Sequence, residues 1–338
     1  MLNRQIVFTA PNTVKVLEKN IDGTPTGGVL VKLARSTISS GTEKANLIGD
    51  RNLSATQAAC DAVYPKYTGY SSSGTVVDVG EGVESVKVGD RVALSWSTHS
   101  EYNLIGLQNV HIIPYDNISF SAAALCHIGC FPLAAIRKCA LEIGESAIVM
   151  GQGILGIMAV LQLRAAGAAP LIAADPIPEK RELALSLGAD FALDPFDPDF
   201  VKKVKEITNG GVKVAIEVTG VGKALDTVLD CMAKFGRVAL LGCTRNSDFT
   251  IDYYRKVHGP GINLIGAHTI ARPKVESSKG LWTTHDDIMA QFNLLSTGRL
   301  DYDRLISEVH SPLEAPKVYA RLINDKSFPI VQFDWSRL

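Results

Sequence analysis

The segment ESAIVM–GQGILG–IMAVLQLRAAGA, residues 145–168, joins an apolar run to a helical one through three glycines spaced G-x-G-x-x-G. The spacing alone is a weak signal, and it gains meaning from a strand before it and an amphipathic helix after it. Gly151 permits the tight turn, Gly153 lets backbone approach a pyrophosphate, and Gly156 lets the helix pack closely on the strand. The first helical residues, Ile154 and Leu155, bring unpaired N–H groups and the positive end of the helix dipole toward that pyrophosphate. Nineteen residues beyond Gly156 the next apolar run, PLIAAD, ends in Asp175, whose carboxylate can accept hydrogen bonds from ribose hydroxyls. Together these features predict a dinucleotide site. A carboxylate at this point repels a 2′-phosphate, so NAD is favoured over NADP. Lys180 and Arg181 lie near Asp175 in sequence but within the next helix.

Outward from this turn, strands and helices alternate: SAIVM, helix 154–167, PLIAAD, helix 178–187, FALD, helix 198–208, VKVAIEVTG, helix 222–234, GRVALLG. That rhythm specifies an α/β fold, a doubly wound parallel sheet covered on both faces. Ligands bind at the carboxyl edge of such sheets, so Val218 and Thr219 in EVTG and Gly242 and Cys243 in LLGCT are expected to flank a nicotinamide. His268, in IGAHTI, either reaches the nicotinamide side or sits at a dimer edge. The apolar stretch NLIGAH (263–268) ends the alternation and should form the sheet edge; an exposed apolar edge is a liability unless paired, which predicts a homodimer.

Residues 1 to about 120 read instead as short Val- and Ile-rich strands punctuated by Gly, Pro, Asn and Asp. From Ala122 the texture becomes helical, with Ser121 a candidate N-cap and Pro132 a kink or boundary. The tail 283–338 is short for a core of its own and is expected to return to the first domain. The expected domains are 1–120 with 269–338, β-rich and discontinuous, and 121–268, dinucleotide-binding. The 338 residues are 46% hydrophobic, enough for two cores, and the net charge is -1. That balance argues against nucleic-acid or membrane-surface partners and for a small-molecule substrate. The longest apolar stretch, 147–163, is broken by glycine and glutamine and ends at Arg164, so it reads as strand–turn–helix and not as a membrane span. Six scattered cysteines without a C-x-x-C pair predict reduced core thiols in a cytoplasmic protein.

The order of elements resembles the medium-chain dehydrogenase/reductase superfamily, whose members pair a GroES-like catalytic domain in two segments with a Rossmann domain. GEGVESVKVGDRVA is similar to its G-x-x-V-x-x-(F/V)-x-x-G-D-R-V signature, and LALSLGADFALD and VAIEVTGVGKALDTVLDCMAKFGRVALLG match its Rossmann segments. Three departures stand out. Where zinc-dependent members have G-I-C-G-T-D, this chain has TISSGTE, with Ser40 in the cysteine's place. Their G-H-E becomes GYS, with Tyr70 and Ser71 for His and Glu, and the lobe carrying four structural cysteines is missing. His127, in AALCHIGC, aligns with the next ligand position. A stable zinc site takes three or four N, S or O ligands; Ser40, Tyr70 and His127 offer one good one, so no zinc is expected. SSGTE and GYSSSG together look like a zinc-less branch that includes bacteriochlorophyllide dehydrogenase-like proteins, which oxidise a secondary hydroxyethyl group with NAD.

That resemblance implies an oxidoreductase acting on a secondary alcohol or ketone, with Tyr70, His127, Thr42 and Ser40 around the vacated metal position. A phenol can donate to a developing alkoxide, and histidine titrates near neutrality. Plainer readings stand beside each. Tyr70 fills the volume zinc would take, His127 packs in a helix, and Ser40 and Thr42 cap the helix that follows. Glu43 matches the acid that supports a metal histidine in the zinc enzymes; without one, it either holds Tyr70 or faces solvent. In CHIGC, Cys126 and Cys130 share a helix face that excludes His127, which favours buried thiols over a metal site. His99 and Glu101 read as a solvated loop. Two rival functions remain: a zinc-less NADPH-dependent quinone or enone reductase, against which Asp175 argues, and a dinucleotide-binding protein without catalysis.

Overall fold

A computed structural model describes residues 1–247 and 249–338. In chain order the elements are β1 (Leu2–Ala10), β2 (Thr13–Asn20), β3 (Gly28–Thr37), α1 (Ser40–Ile48), β4 (Lys66–Tyr67), β5 (Ser71–Val79), β6 (Arg91–Ser95), β7 (Tyr102–Gly106), β8 (Val110–Ile112), α2 (Phe120–Ala123) and α3 (Cys126–Lys138). There follow β9 (Ala147–Met150), α4 (Ile154–Ala166), β10 (Leu171–Ala174), α5 (Pro178–Ser186), β11 (Phe191–Leu193), α6 (Phe200–Ile207), β12 (Val212–Glu217), α7 (Gly222–Cys231), β13 (Met232–Leu240) and β14 (Asn263–Gly266). The chain closes with α8 (Thr284–Ser296), β15 (Glu308–His310), α9 (Ala315–Asn324) and β16 (Val331–Asp334). Two compact units result, residues 1–128 with 288–338, and residues 129–287. The sequence reading set the corresponding limits at 120 and 268.

The first unit is β-rich and GroES-like. A seven-stranded sheet runs β15-β16-β3-β5-β6-β8, with β7 also on β3, beside a three-stranded sheet β2-β1-β4. Strand β16 pairs antiparallel with β3, so the last segment of the chain hydrogen-bonds to residues 35–37. Phe8, Leu33, Leu94, Tyr319, Phe333 and Trp335 are among the side chains that fill its core.

The second unit is a Rossmann domain. Its six strands are parallel and lie in the order β11-β10-β9-β12-β13-β14. Numbered within the unit this is 3-2-1-4-5-6, with the switch point between β9 and β12. Strands β9 and β10 are buried throughout, which is why they read as unbroken apolar runs. Helix α4 is buried from Gly156 to Leu163 and stops at Gly167, whose φ of +91° suits a left-handed C-cap.

Local expectations are corrected in several places. Helix α3 continues through Pro132. Ser119, not Ser121, caps α2 by accepting the Ala122 N–H. Cys60 and Cys243 are exposed, so two of the six thiols are not core residues. Among the described residues no helix is long and apolar enough to cross a membrane.

Candidate active site

The dinucleotide turn follows β9. Gly151 has φ +96°, and a Cβ there would stand 2.9 Å from Thr219 Cγ2. A Cβ on Gly156 would meet the Gly151 carbonyl oxygen at 1.8 Å, so helix and turn touch through bare backbone. Gly153, the N-cap of α4, has nothing within 4 Å of the position a Cβ would take. That open space, in front of the N–H groups that begin α4 at Ile154 and Leu155, suits a pyrophosphate. Asp175 follows β10 and is buried; its Oδ2 accepts the Gln152 N–H at 2.8 Å and its Oδ1 the Ile177 N–H at 2.9 Å. The carboxylate is therefore tied to the turn before any ligand arrives, with lone pairs left for ribose hydroxyls. Arg181 is tied to the same turn: its Nη1 donates to the Asp175 carbonyl at 2.7 Å, and it pairs with Asp194 at 3.6 Å.

At the neighbouring strand ends, Glu217 is buried and accepts from the Thr219 N–H and hydroxyl and the Gly220 N–H. Burial raises its carboxyl above the usual range. This fixes the Val218–Thr219 bend. Gly242 packs so closely on Val218 and Gly220 that a Cβ would lie 2.3 Å from the Gly220 nitrogen. Cys243 is exposed beside it. His268, two residues past β14, is half-buried, accepts the Ile270 N–H through Nδ1, and has its pKa lowered by burial. The turn, Asp175, Val218–Thr219, Gly242–Cys243 and His268 all follow carboxyl ends of parallel strands. These residues fit a dinucleotide.

In the first unit three rings cluster. Tyr70 and His127 have centroids 5.7 Å apart at 87°, Trp96 and His127 4.9 Å at 69°, and Tyr70 and Trp96 5.9 Å at 42°. His127 is 1% exposed, and the turn before its helix is held by Ser71, whose hydroxyl donates to the Ala124 carbonyl at 2.7 Å. The Tyr70 hydroxyl donates to Ser39 Oγ. Ser39 N–H in turn donates to Glu43 Oε1 at 2.8 Å. Glu43 Oε2 accepts from the Tyr319 hydroxyl and lies 3.1 Å from His99 Nε2. His99 Nδ1 meets Ser36 Oγ at 2.8 Å, and Ser36 accepts the Trp335 indole N–H at 2.9 Å. A hydrogen on His99 Nε2 directed at Glu43, with Ser36 donating to Nδ1, gives every member of the network a partner. Burial, then the Glu43 charge, pushes the Tyr319 phenol well above its ordinary range and keeps it a donor.

This network corrects the sequence reading. Glu43 neither faces solvent nor touches Tyr70; it is buried and reaches the phenol through Ser39. His99 is fully buried, and Glu101 lies 3.9 Å from Arg4 with little exposure, so neither is a solvated loop residue. Ser39 is the N-cap of α1 and makes no side-chain cap bond; Ser40 and Thr42, half-buried on the first turn, are not its caps. Ser39 and Trp96 went unnoticed in the sequence, and His99 was placed on a solvated loop. Gly69 was the one available signal: its φ is +90° and a Cβ would lie 2.7 Å from His99 Cγ, so GYS requires glycine to admit that ring.

As a zinc site the donor set fits poorly. His127 is accompanied by a phenol, an indole and serine hydroxyls, and among the described residues no group of three or more His, Cys, Asp or Glu could hold a metal ion.

Comparison with known proteins decides the family. Residues 27–137 match the alcohol dehydrogenase GroES-like domain, and residues 155–277 match the zinc-binding dehydrogenase family. The L-threonine 3-dehydrogenase of Pyrococcus horikoshii is 30% identical over 278 residues, covering 72% of this chain and 74% of that one. The chain belongs to the medium-chain, zinc-type alcohol dehydrogenase-like superfamily. Another member, the (R,R)-butanediol dehydrogenase of Bacillus subtilis, is 29% identical over 270 residues, covering 72% of this chain and 73% of that one. The crystal structure of 2R,3R-butanediol dehydrogenase from Bacillus subtilis superposes with a TM-score of 0.81 at 24% identity, over 98% of this chain and 99% of that one. As a member of this alcohol dehydrogenase-like superfamily the chain is an NAD(P)-dependent oxidoreductase. The GroES-like match contains Tyr70 and His127, and the zinc-binding dehydrogenase match contains Asp175.

Proposed function

We propose that this oxidoreductase is zinc-independent and NAD-dependent, and interconverts a secondary alcohol and a ketone, as in the zinc-less branch its sequence resembles. One observation carries the reading: a phenol, hydrogen-bonded to Ser39 and backed by buried Glu43, sits beside His127, with too few ligands for zinc. NAD supplies the hydride acceptor when bound. Gly151, Gly153, Ile154, Leu155 and Gly156 cradle its pyrophosphate, Asp175 takes its ribose, and Val218, Thr219, Gly242, Cys243 and His268 flank its nicotinamide. The Tyr70 hydroxyl donates to the substrate oxygen as a ketone is reduced and takes up the proton as an alcohol is oxidised. Phenols titrate near about 10, so at neutral pH an imidazole must exchange that proton, the role of His127. Ser40 and Thr42 line the same end of α1. The thiol distribution supports a cytoplasmic location.

The experiment is a panel of secondary alcohols and cyclic ketones, followed through NADH absorbance before and after chelator, with elemental analysis alongside. Turnover is expected on part of the panel and is expected to survive chelation. About one bound zinc per chain, lost together with activity, would refute zinc independence.

The dimer is read from β14. It ends the six-stranded sheet and is only half-buried. Pairing with the same strand of a second copy would remove that edge. Light scattering is expected to give twice the chain's 36.3 kDa; a single-chain mass at micromolar concentration would rule the pairing out.

A further inference from the structure

We infer that Ser39 is a positioning residue: it holds the hydrogen of the Tyr70 phenol away from the substrate, so that the resting site favours an alcohol over a ketone. The inference rests on the secondary-alcohol reading above, in which Tyr70 meets the substrate oxygen. It starts from an N-cap serine that does not cap. Such a serine ordinarily accepts an N–H of the first helical turn, while an acid a few residues on accepts the serine N–H. Elsewhere in the first unit this is what serines do. Ser311 accepts the Leu313 N–H at 3.2 Å while Glu314 accepts the Ser311 N–H at 3.0 Å, and Ser119 accepts the Ala122 N–H at 2.9 Å. At the start of α1 only half of the arrangement is present. Glu43 accepts the Ser39 N–H at 2.8 Å, but the Ser39 side chain makes no bond to the helix. Its oxygen accepts from the Tyr70 hydroxyl instead.

Both partners are fixed by contacts of their own. Ser39 is buried, and the Glu43 that accepts its N–H is held in turn by Tyr319 and His99. One residue earlier, the Ile38 N–H donates to the Val331 carbonyl at 3.0 Å. On the other side the Tyr70 carbonyl accepts the Trp96 N–H at 2.9 Å, and the Tyr70 ring rests against Trp96 and His127. A phenol carries one hydrogen, and here Ser39 receives it. A ketone oxygen only accepts, so Tyr70 can meet it only when that hydrogen leaves Ser39. An alcohol brings a hydrogen of its own to the phenol oxygen and leaves the Tyr70–Ser39 bond in place. The cost therefore falls on the ketone complex alone. A neutral hydrogen bond of ordinary net strength corresponds to about a fivefold change in dissociation constant.

The test uses the full chain in dead-end complexes, where no hydride can move. Cyclohexanone and butanone are titrated by calorimetry into enzyme with NAD, and cyclohexanol and 2-butanol into enzyme with NADH. Ser39→Ala should lower the ketone Kd about fivefold and leave the alcohol Kd within about twofold of the wild type. Ser39→Cys, nearly isosteric but a weak acceptor, should shift the ketone Kd in the same direction. Ser39→Thr, which keeps the accepting oxygen, should restore the wild-type value. In a Tyr70→Phe background Ser39→Ala should change neither ligand, because the effect passes through the phenol. A residue that only supported the fold would weaken both ligands in both backgrounds, and thermal unfolding checks that the fold is intact. Ketone affinity that Ser39→Ala and Ser39→Cys leave unchanged or weaken overturns the role of Ser39 and leaves the secondary-alcohol reading standing. So does a gain in ketone affinity that persists without the Tyr70 hydroxyl. Neither binding nor turnover of either pair overturns the secondary-alcohol reading, and the role of Ser39 falls with it.

Discussion

Tyr70→Phe is expected to lower turnover by about 10²-fold or more while leaving NADH affinity intact. The substitution keeps the ring, and with it the contacts to Trp96 and His127, and removes only the hydroxyl that donates to Ser39. If that hydroxyl delivers and receives the substrate proton, the loss belongs to the chemical step and appears in kcat. His127→Asn is the companion: activity should fall and the pH–rate profile should move, because the group that exchanges protons near neutrality is gone. Normal turnover by Tyr70→Phe would make Tyr70 a packing residue and turn attention to His268 and the hydroxyls of the cofactor ribose.

Asp175→Ser should narrow the preference for NADH over NADPH by about 1–3 kcal/mol, a lost charge-assisted contact plus relieved repulsion. The wild-type carboxylate is buried and already accepts two backbone N–H groups, so it stays fixed where a 2′-phosphate would have to sit. Arg181, anchored on the carbonyl of the same residue, remains after the substitution to meet a phosphate. Fluorescence titration of both reduced cofactors measures the effect. Equal affinities in the wild type would refute the role given to Asp175.

The Rossmann unit was legible because each of its signals is local. Three glycines, an apolar strand, a helix and an acid at the next strand end all lie between residues 145 and 175, and the structure keeps them in that relation. The GroES-like unit was legible only as a β-rich texture with a family signature. Its site is assembled from positions 36–43, 68–71, 96–99, 127 and 319–335, and no sequence spacing joins them. His99 was misjudged for this reason. THSEYN has the composition of an exposed loop, and only Ser36 and Glu43, brought together by β3 and α1, make burial of its imidazole possible. Trp96 was invisible for another reason, since a positive φ on a large residue leaves no mark in composition. Ser39 and Ser40 were a choice between adjacent serines, and which of them meets Tyr70 depends on where α1 begins.

The cluster around Glu43 also sets an order of events during synthesis. Its carboxylate needs the hydroxyl of Tyr319, and the Ser36 that holds His99 needs the indole of Trp335. A nascent chain that has left the ribosome only as far as residue 310 carries Tyr70 and His127, the two residues proposed to handle the proton, and the entire Rossmann unit, yet it lacks both partners. The dinucleotide half, continuous from 129 to 287, can complete its sheet while translation is still under way. The half that would handle the proton cannot complete the surroundings of its acid and imidazole until residues 319 and 335 have been added. The dinucleotide unit is thus complete in the growing chain before the proposed proton-handling site can form.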